Sequence, residues 1–235
     1  MLKLHHKLKP LVSRLTDNEK RVFNTLCQQY HLVYFGTLGR DRDEDATIRG
    51  ATLSATSNDQ NFCVGTIYSH DVIFLTRSDR LKQLENFSGR FPSDLPDTEQ
   101  SSSNSAALIK WCILQIDLKR HDLNHVIIDG RRQPKAHYDR LLINYPRLRP
   151  VDPLIINSPI FTSKFEAYSS LDTAIETMNI IVRVSDQLSH NFSQFDYEWF
   201  QDRLIIYAPT DHISLNLLNA MLQVGFYLAE QLENN

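Results

Sequence analysis

Histidines and carboxylates crowd one part of this chain: His121, Asp122, His125, Asp129 and His137. The spacing His121-x-x-x-His125 puts two imidazoles on one face of a helix, an arrangement that zinc sites use. The flanks read instead as strand and turn, where that spacing does not converge, and the glutamate of the metalloprotease phrase is missing. These side chains are therefore expected to serve turns and caps. The chemical alternative is a metal-assisted hydrolase with His121, His125 and Asp129 as catalytic groups, or a loop metal site on His121, His125 and His137.

A cysteine nucleophile needs a histidine in reach and an electropositive, partly open setting. Cys27, Cys63 and Cys112 lie in apolar runs, where burial raises a thiol's pKa, so all three read as structural. With seven glycines there is little material for a phosphate-binding loop, and neither a Gly-x-Ser-x-Gly elbow nor a dinucleotide fingerprint occurs. No cofactor is expected. The acidic run Arg40-Asp-Arg-Asp-Glu-Asp45 lacks the sixth-position glycine and twelfth-position glutamate of a calcium loop and reads as solvated. A last candidate is aromatic. Tyr197, Trp199 and Tyr207, with Phe195 and Phe200, alternate along one stretch, so that some of them should face away from any helix layer and form a binding face; core packing is the competing reading.

The elements that would position these groups follow from periodicity. Leu4, Leu8, Leu11, Val12 and Leu15 form an apolar stripe in a basic first segment, residues 1–15, readable as a membrane-surface contact or as a helix packed on its own domain. Thr16-Asp-Asn-Glu19 is a capping box ahead of a helix carrying Val22, Phe23, Leu26 and Tyr30. Strands are expected at Ile48–Ala55, Phe62–Ile67, His70–Thr76, Ala107–Leu118 and Asn124–Asp129, with a polar, mobile loop over 78–106. The prolines from Pro134 to Pro159 argue against helix there and for extended edge segments. The last third reads as a strand from Phe161, a helix with an inner stripe of Ala174, Ile175, Met178, Ile181, Val182, Ser185 and Leu188, two short strands split at Gln201-Asp-Arg, and a closing helix. On the closing helix Leu215, Leu218, Leu222, Phe226 and Ala229 share a face, with Gly225 allowing close packing.

Composition bounds the rest. The chain has 235 residues, 42% of them apolar, enough for a core. A net charge of −3 gives no basic footprint for nucleic acid. No apolar run reaches the roughly 20 residues that cross a bilayer, and the basic start lacks a signal-peptide core, so a cytoplasmic setting is expected.

The phrases Leu123-Asn-His-Val-Ile-Ile-Asp129, Phe161-Thr-Ser-Lys-Phe-Glu-Ala-Tyr-Ser169 and Asp202-Arg-Leu-Ile-Ile-Tyr207 come in a familiar order. Over about residues 62–208 the chain resembles uncharacterised bacterial proteins of a domain-of-unknown-function type. Asn124 stands where they have proline and Ala167 where they have a larger aliphatic. The resemblance implies a fold and no activity; many such proteins carry membrane helices ahead of this domain.

The expectation is an α+β fold, antiparallel sheet with amphipathic helices on one face or at the ends. It spans 1–235 as one unit, or two lobes: 16–158, strand-rich, and 159–235, helix-strand-helix. The function expected is a non-catalytic interaction or ligand-binding role, with a protein partner or a second copy of the chain, and no nucleic acid.

Overall fold

The computed structural model describes residues 17–39, 58–80, 108–131, 147–170, 175–210 and 212–234. The expected strand at Ile48–Ala55, the basic segment 1–15, His137 and nearly all of the 78–106 loop lie outside them. Along the chain run α1 (Asp17–Tyr30), β1 (Val33–Gly39), β2 (Asn58–Ile67), β3 (His70–Arg80), β4 (Leu108–Asp117), β5 (Leu123–Gly130) and β6 (Leu148–Pro150). Then come α2 (Pro153–Ile156), α3 (Pro159–Lys164), β7 (Phe165–Ser170), α4 (Ile175–Asn191), β8 (Asp196–Gln201), β9 (Arg203–Pro209) and α5 (Leu215–Glu233).

All nine strands form a single antiparallel sheet in the order β1-β2-β3-β4-β9-β8-β5-β7-β6, so the fold class is α+β. Strand β9, from the last part of the chain, pairs with β4 from the first, and β5 pairs with both β7 and β8. Strands from before and after residue 158 thus share one ladder.

Each strand shows one face to the helices. Phe74, Leu114, Ile116, Val126, Ile128, Tyr197, Trp199, Leu204 and Ile206 pack there with Phe23 and Leu26 of α1, Ile181 and Leu188 of α4, and Leu218, Leu222 and Leu228 of α5. Each such side chain taken fully out of water contributes about 1.5–3 kcal/mol, so this face holds most of the stability. Gly225 does permit close packing: a Cβ there would lie 2.6 Å from Ile116 Cδ1 and 3.2 Å from Ile206 Cδ1. The opposite face carries a smaller apolar cluster of Leu75, Trp111, Ile113, Ile205 and Tyr207, with Phe62 and Ile73 at its margin and, among the described residues, no helix residue in it.

Three local expectations are corrected. Phe161 to Lys164 are helical, and the strand begins only at Phe165. Nor do the prolines exclude helix: Pro153 and Pro159 each open a short helix, where the missing N–H costs nothing, after Asp152 and Ser158, whose side chains cap Leu154 N and Phe161 N. The stripe of α4 is also rotated. Thr177, Ile180, Ile181, Val184, Ser185 and Leu188 are buried, whereas Ile175 and Val182 are exposed.

Candidate functional site

Antiparallel register decides which of the predicted site residues meet. Ile127 pairs with Glu198 and Glu198 with Ile205, so the odd positions of β5 from His125 onward, past the irregularity between Leu123 and Val126, the even positions of β8 and the odd positions of β9 lie on the sheet face away from the helices. That face gathers His125, Glu198 and Tyr207. His125 Nε2 lies 2.7 Å from Glu198 Oε1, and the Tyr207 hydroxyl donates to Glu198 Oε2 at 2.5 Å. The Tyr207 ring stands edge-on to Trp111, centroids 6.1 Å apart, and His125 leans on Phe200 at 5.1 Å. One carboxylate therefore holds one group from the predicted catalytic set and one from the predicted binding set. Both of its oxygens are engaged in this tie, and the Glu198 side chain is only 5% exposed. The arrangement fixes the imidazole and the phenol in place as a buried polar brace across three strands.

Other predicted site residues do not join it. His121 lies in the β4–β5 connection, largely exposed, 3.4 Å from Asp202. Asp129 is buried at the far end of β5, four residues from His125, a strand distance of about 13 Å. The catalytic alternative on His121, His125 and Asp129 is thus spread over a loop and a full strand. Among the described residues no group of three or more His, Cys, Asp or Glu side chains could hold a metal ion. Of the aromatic set, Tyr197 and Trp199 point into the helix-side core, Tyr207 into the opposite cluster, and all three are fully buried. Tyr197 spends its hydroxyl on Phe192 O at 2.6 Å. Of that set's neighbours, Phe200 alone is half exposed.

Sequence reasoning missed the acidic partners. Asp196 and Glu198 alternate with Tyr197 and Trp199, so the period-2 rule that buries the aromatics on one face puts both carboxylates on the other. Asp196 Oδ1 accepts from Gly130 N at 2.8 Å and ties β8 to the end of β5. Nearby, burial and the Glu166 carboxylate push the Tyr168 hydroxyl up from its ordinary pKa.

Among the described residues the sheet ends in two edge strands, β1 and β6. At the β6 edge the strand is three residues long and includes Arg149 and Pro150, two features that discourage further pairing. At the β1 edge the seven residues Val-Tyr-Phe-Gly-Thr-Leu-Gly carry no charge and no proline. Tyr34 turns inward and donates to Asn61 Oδ1 at 3.1 Å, whereas Val33 and Phe35 are 56% and 59% exposed. The Phe35 ring meets Phe62 at 6.2 Å, and Phe62 borders the second apolar cluster, so apolar surface runs from the exposed edge inward across the sheet.

No protein-family profile matches the chain, and no curated protein does. Among solved structures it is similar to the mycobacterial trehalose monomycolate transport factor A, TtfA, with 10% identity and a TM-score of 0.49 over 91% of this chain and 92% of that one. No helix among the described residues is long and apolar enough to cross a membrane.

Proposed function

We propose that this chain is a non-catalytic, cytoplasmic protein-binding module that takes up an extended apolar segment of a partner protein along β1. The observation that carries the reading is the uncharged, proline-free β1 edge with Val33 and Phe35 standing in solvent. Strand addition of this kind uses backbone groups for affinity and alternate side chains for selectivity. A partner segment fits better than a second β1. The β1–β2 register shifts twice, between Tyr34 and Gly36 and between Gly36 and Leu38, and Gly36 sits at φ 78°. Two copies paired about a two-fold axis would set bend against bend and shorten the ladder, while a flexible peptide follows the bend. The cytoplasmic setting rests on the three cysteines being free thiols.

The test is a photo-crosslinking amino acid placed at position 35, with position 187 on α4 as control, in cells of the source organism. A protein adduct at 35 and not at 187, lost in Val33→Lys, together with slowed β1 amide exchange when the captured segment is added as a peptide, supports the proposal. A covalent dimer of this chain would replace the partner by a second copy. Absence of any adduct, or equal adducts at both positions, refutes it.

A further inference from the structure

A second exposed apolar surface follows the β6 edge, at the other end of the sheet from β1, on the two short helices α2 and α3. Leu154 and Ile155 of α2 are 85% and 53% exposed, and Ile160 of α3 is 44% exposed. The next residue in each helix, Ile156 and Phe161, is buried in the helix-side core. Those two anchors pin the helices against α4, so the aliphatic side chains beside them are held outward. We propose that this tip is a lipid-contact site: Leu154, Ile155 and Ile160 enter the acyl boundary of an anionic membrane surface, and the bases Arg147, Arg149 and Lys164 meet its headgroups.

Two observations select a lipid surface over a protein groove. The first is where the polar groups of the tip point. Asp152 Oδ1 accepts from Leu154 N, and the Ser158 hydroxyl donates to Asp186 Oδ1 while accepting from Phe161 N. The Thr162 hydroxyl donates to the carbonyls of Ser158 and Pro159, and that of Ser163 to Ile160 O. These bonds turn inward and leave aliphatic groups outermost, and acyl chains ask for no directional partner.

The second observation is charge. No charged residue occurs between Pro153 and Ser163, whereas Arg147 and Arg149 precede that stretch and Lys164 follows it, all three exposed. Arg149 stands two residues before Val151 of the helix-side core, which puts it on the sheet face that carries α2 and α3. The carboxylates that touch the tip, Asp152 and Asp186, are the two engaged in its own hydrogen bonds. An apolar centre with bases at its rim matches an anionic leaflet, where aliphatic groups sit at the acyl boundary and long basic side chains reach the headgroups. Three aliphatic side chains give a weak and reversible attachment. Because the tip and β1 lie at opposite ends of the sheet, neither reading depends on the other.

The experiment sediments the whole chain with sucrose-loaded vesicles of phosphatidylcholine alone or of phosphatidylcholine and phosphatidylglycerol in equal parts. At low salt the chain should sediment with the anionic vesicles and remain in solution with the neutral ones. Leu154→Ser, Ile155→Ser and Ile160→Ser combined should lower the partition coefficient about tenfold or more, and Lys164→Gln about fivefold. Phe35→Ser, at the other edge, should leave it unchanged. On wild type, phosphatidylglycerol with a diazirine in its acyl chain should label residues 153–160 on illumination. Wild type that does not sediment with anionic vesicles, equal binding by the triple variant, or acyl adducts confined to other parts of the chain overturns the proposal. So does a dimer of the free chain that the triple variant abolishes, since a second copy then covers the tip. The photolabel is read on wild type, so poor folding of a variant leaves the outcome readable.

Discussion

Replacing Tyr207 by phenylalanine deletes one hydroxyl from the brace that joins β5, β8 and β9 and leaves the ring against Trp111. The lost bond is a 2.5 Å donation to a carboxylate in a side chain 5% exposed. Hydrogen bonds to charged groups contribute about 1.5–3 kcal/mol. In a chain of this length that corresponds to a fall of about 3–12 °C in Tm. His125→Ala removes the second donor, at 2.7 Å. Each single variant leaves Glu198 with the other donor, whereas the double variant strips both from the same carboxylate. The double variant should therefore lose more than the sum of the singles, with a coupling energy of about 0.5–3 kcal/mol. Urea unfolding of the four proteins at pH 7, followed by tryptophan fluorescence and far-UV circular dichroism, measures all three quantities. A Tyr207→Phe cost under about 0.5 kcal/mol with additive double-variant behaviour would refute the idea that Glu198 holds the three strands together.

Two glycines should respond differently to alanine. At Gly65 the new Cβ would meet Leu32 Cδ2 at 2.8 Å and the Leu32 backbone at 3.3 Å, so Gly65→Ala should cost about 1–3 kcal/mol in urea unfolding. At Gly225 the neighbours are the ends of Ile116, Ile206 and Leu114 side chains, and the gain in helix propensity, about 1 kcal/mol, offsets part of the clash. Gly225→Ala should thus be the milder of the two, and the reverse order would contradict the packing argument. Arg120 donates to Asp122 and to Glu176 of α4 and holds both carboxyls below their usual range. Depressed carboxylates contribute stability that is present above the ordinary values, near pH 4, and lost as pH falls through the lowered ones. The stability gap between wild type and Arg120→Ala should accordingly be steady at neutral pH and close below about pH 4; a gap that widens on acidification would argue against the pairing.

Periodicity and turn chemistry made most of the elements legible. Phe62–Ile67 and His70–Thr76 alternate about a turn and become the β2–β3 hairpin. The apolar run to Leu118 becomes β4, a central strand, and the Gln201-Asp-Arg split becomes the β8–β9 turn, with Gln201 at φ 58°. Local rules failed where one residue type serves two purposes. Pro159 stops a helix from behind but starts one from in front, and Ser158 settles which. Ile175 and Val182 fit an apolar stripe on paper, yet α4 turns them outward because Ile180 and Val184 fill the core from the adjoining face.

Sequence by itself determined the class: the balance of branched, aromatic and polar residues at periods of two and three to four dictates antiparallel strands with amphipathic helices, since only those elements bury such patterns. Tertiary structure alone decided the partners. That β9 slots beside β4, that Glu198 receives His125 and Tyr207, and that β1 is left at the edge are all facts of long-range register. The physical reason is that periodicity specifies which face a side chain takes, while its neighbour on that face is chosen by strand order, which depends on how the whole chain fills its core.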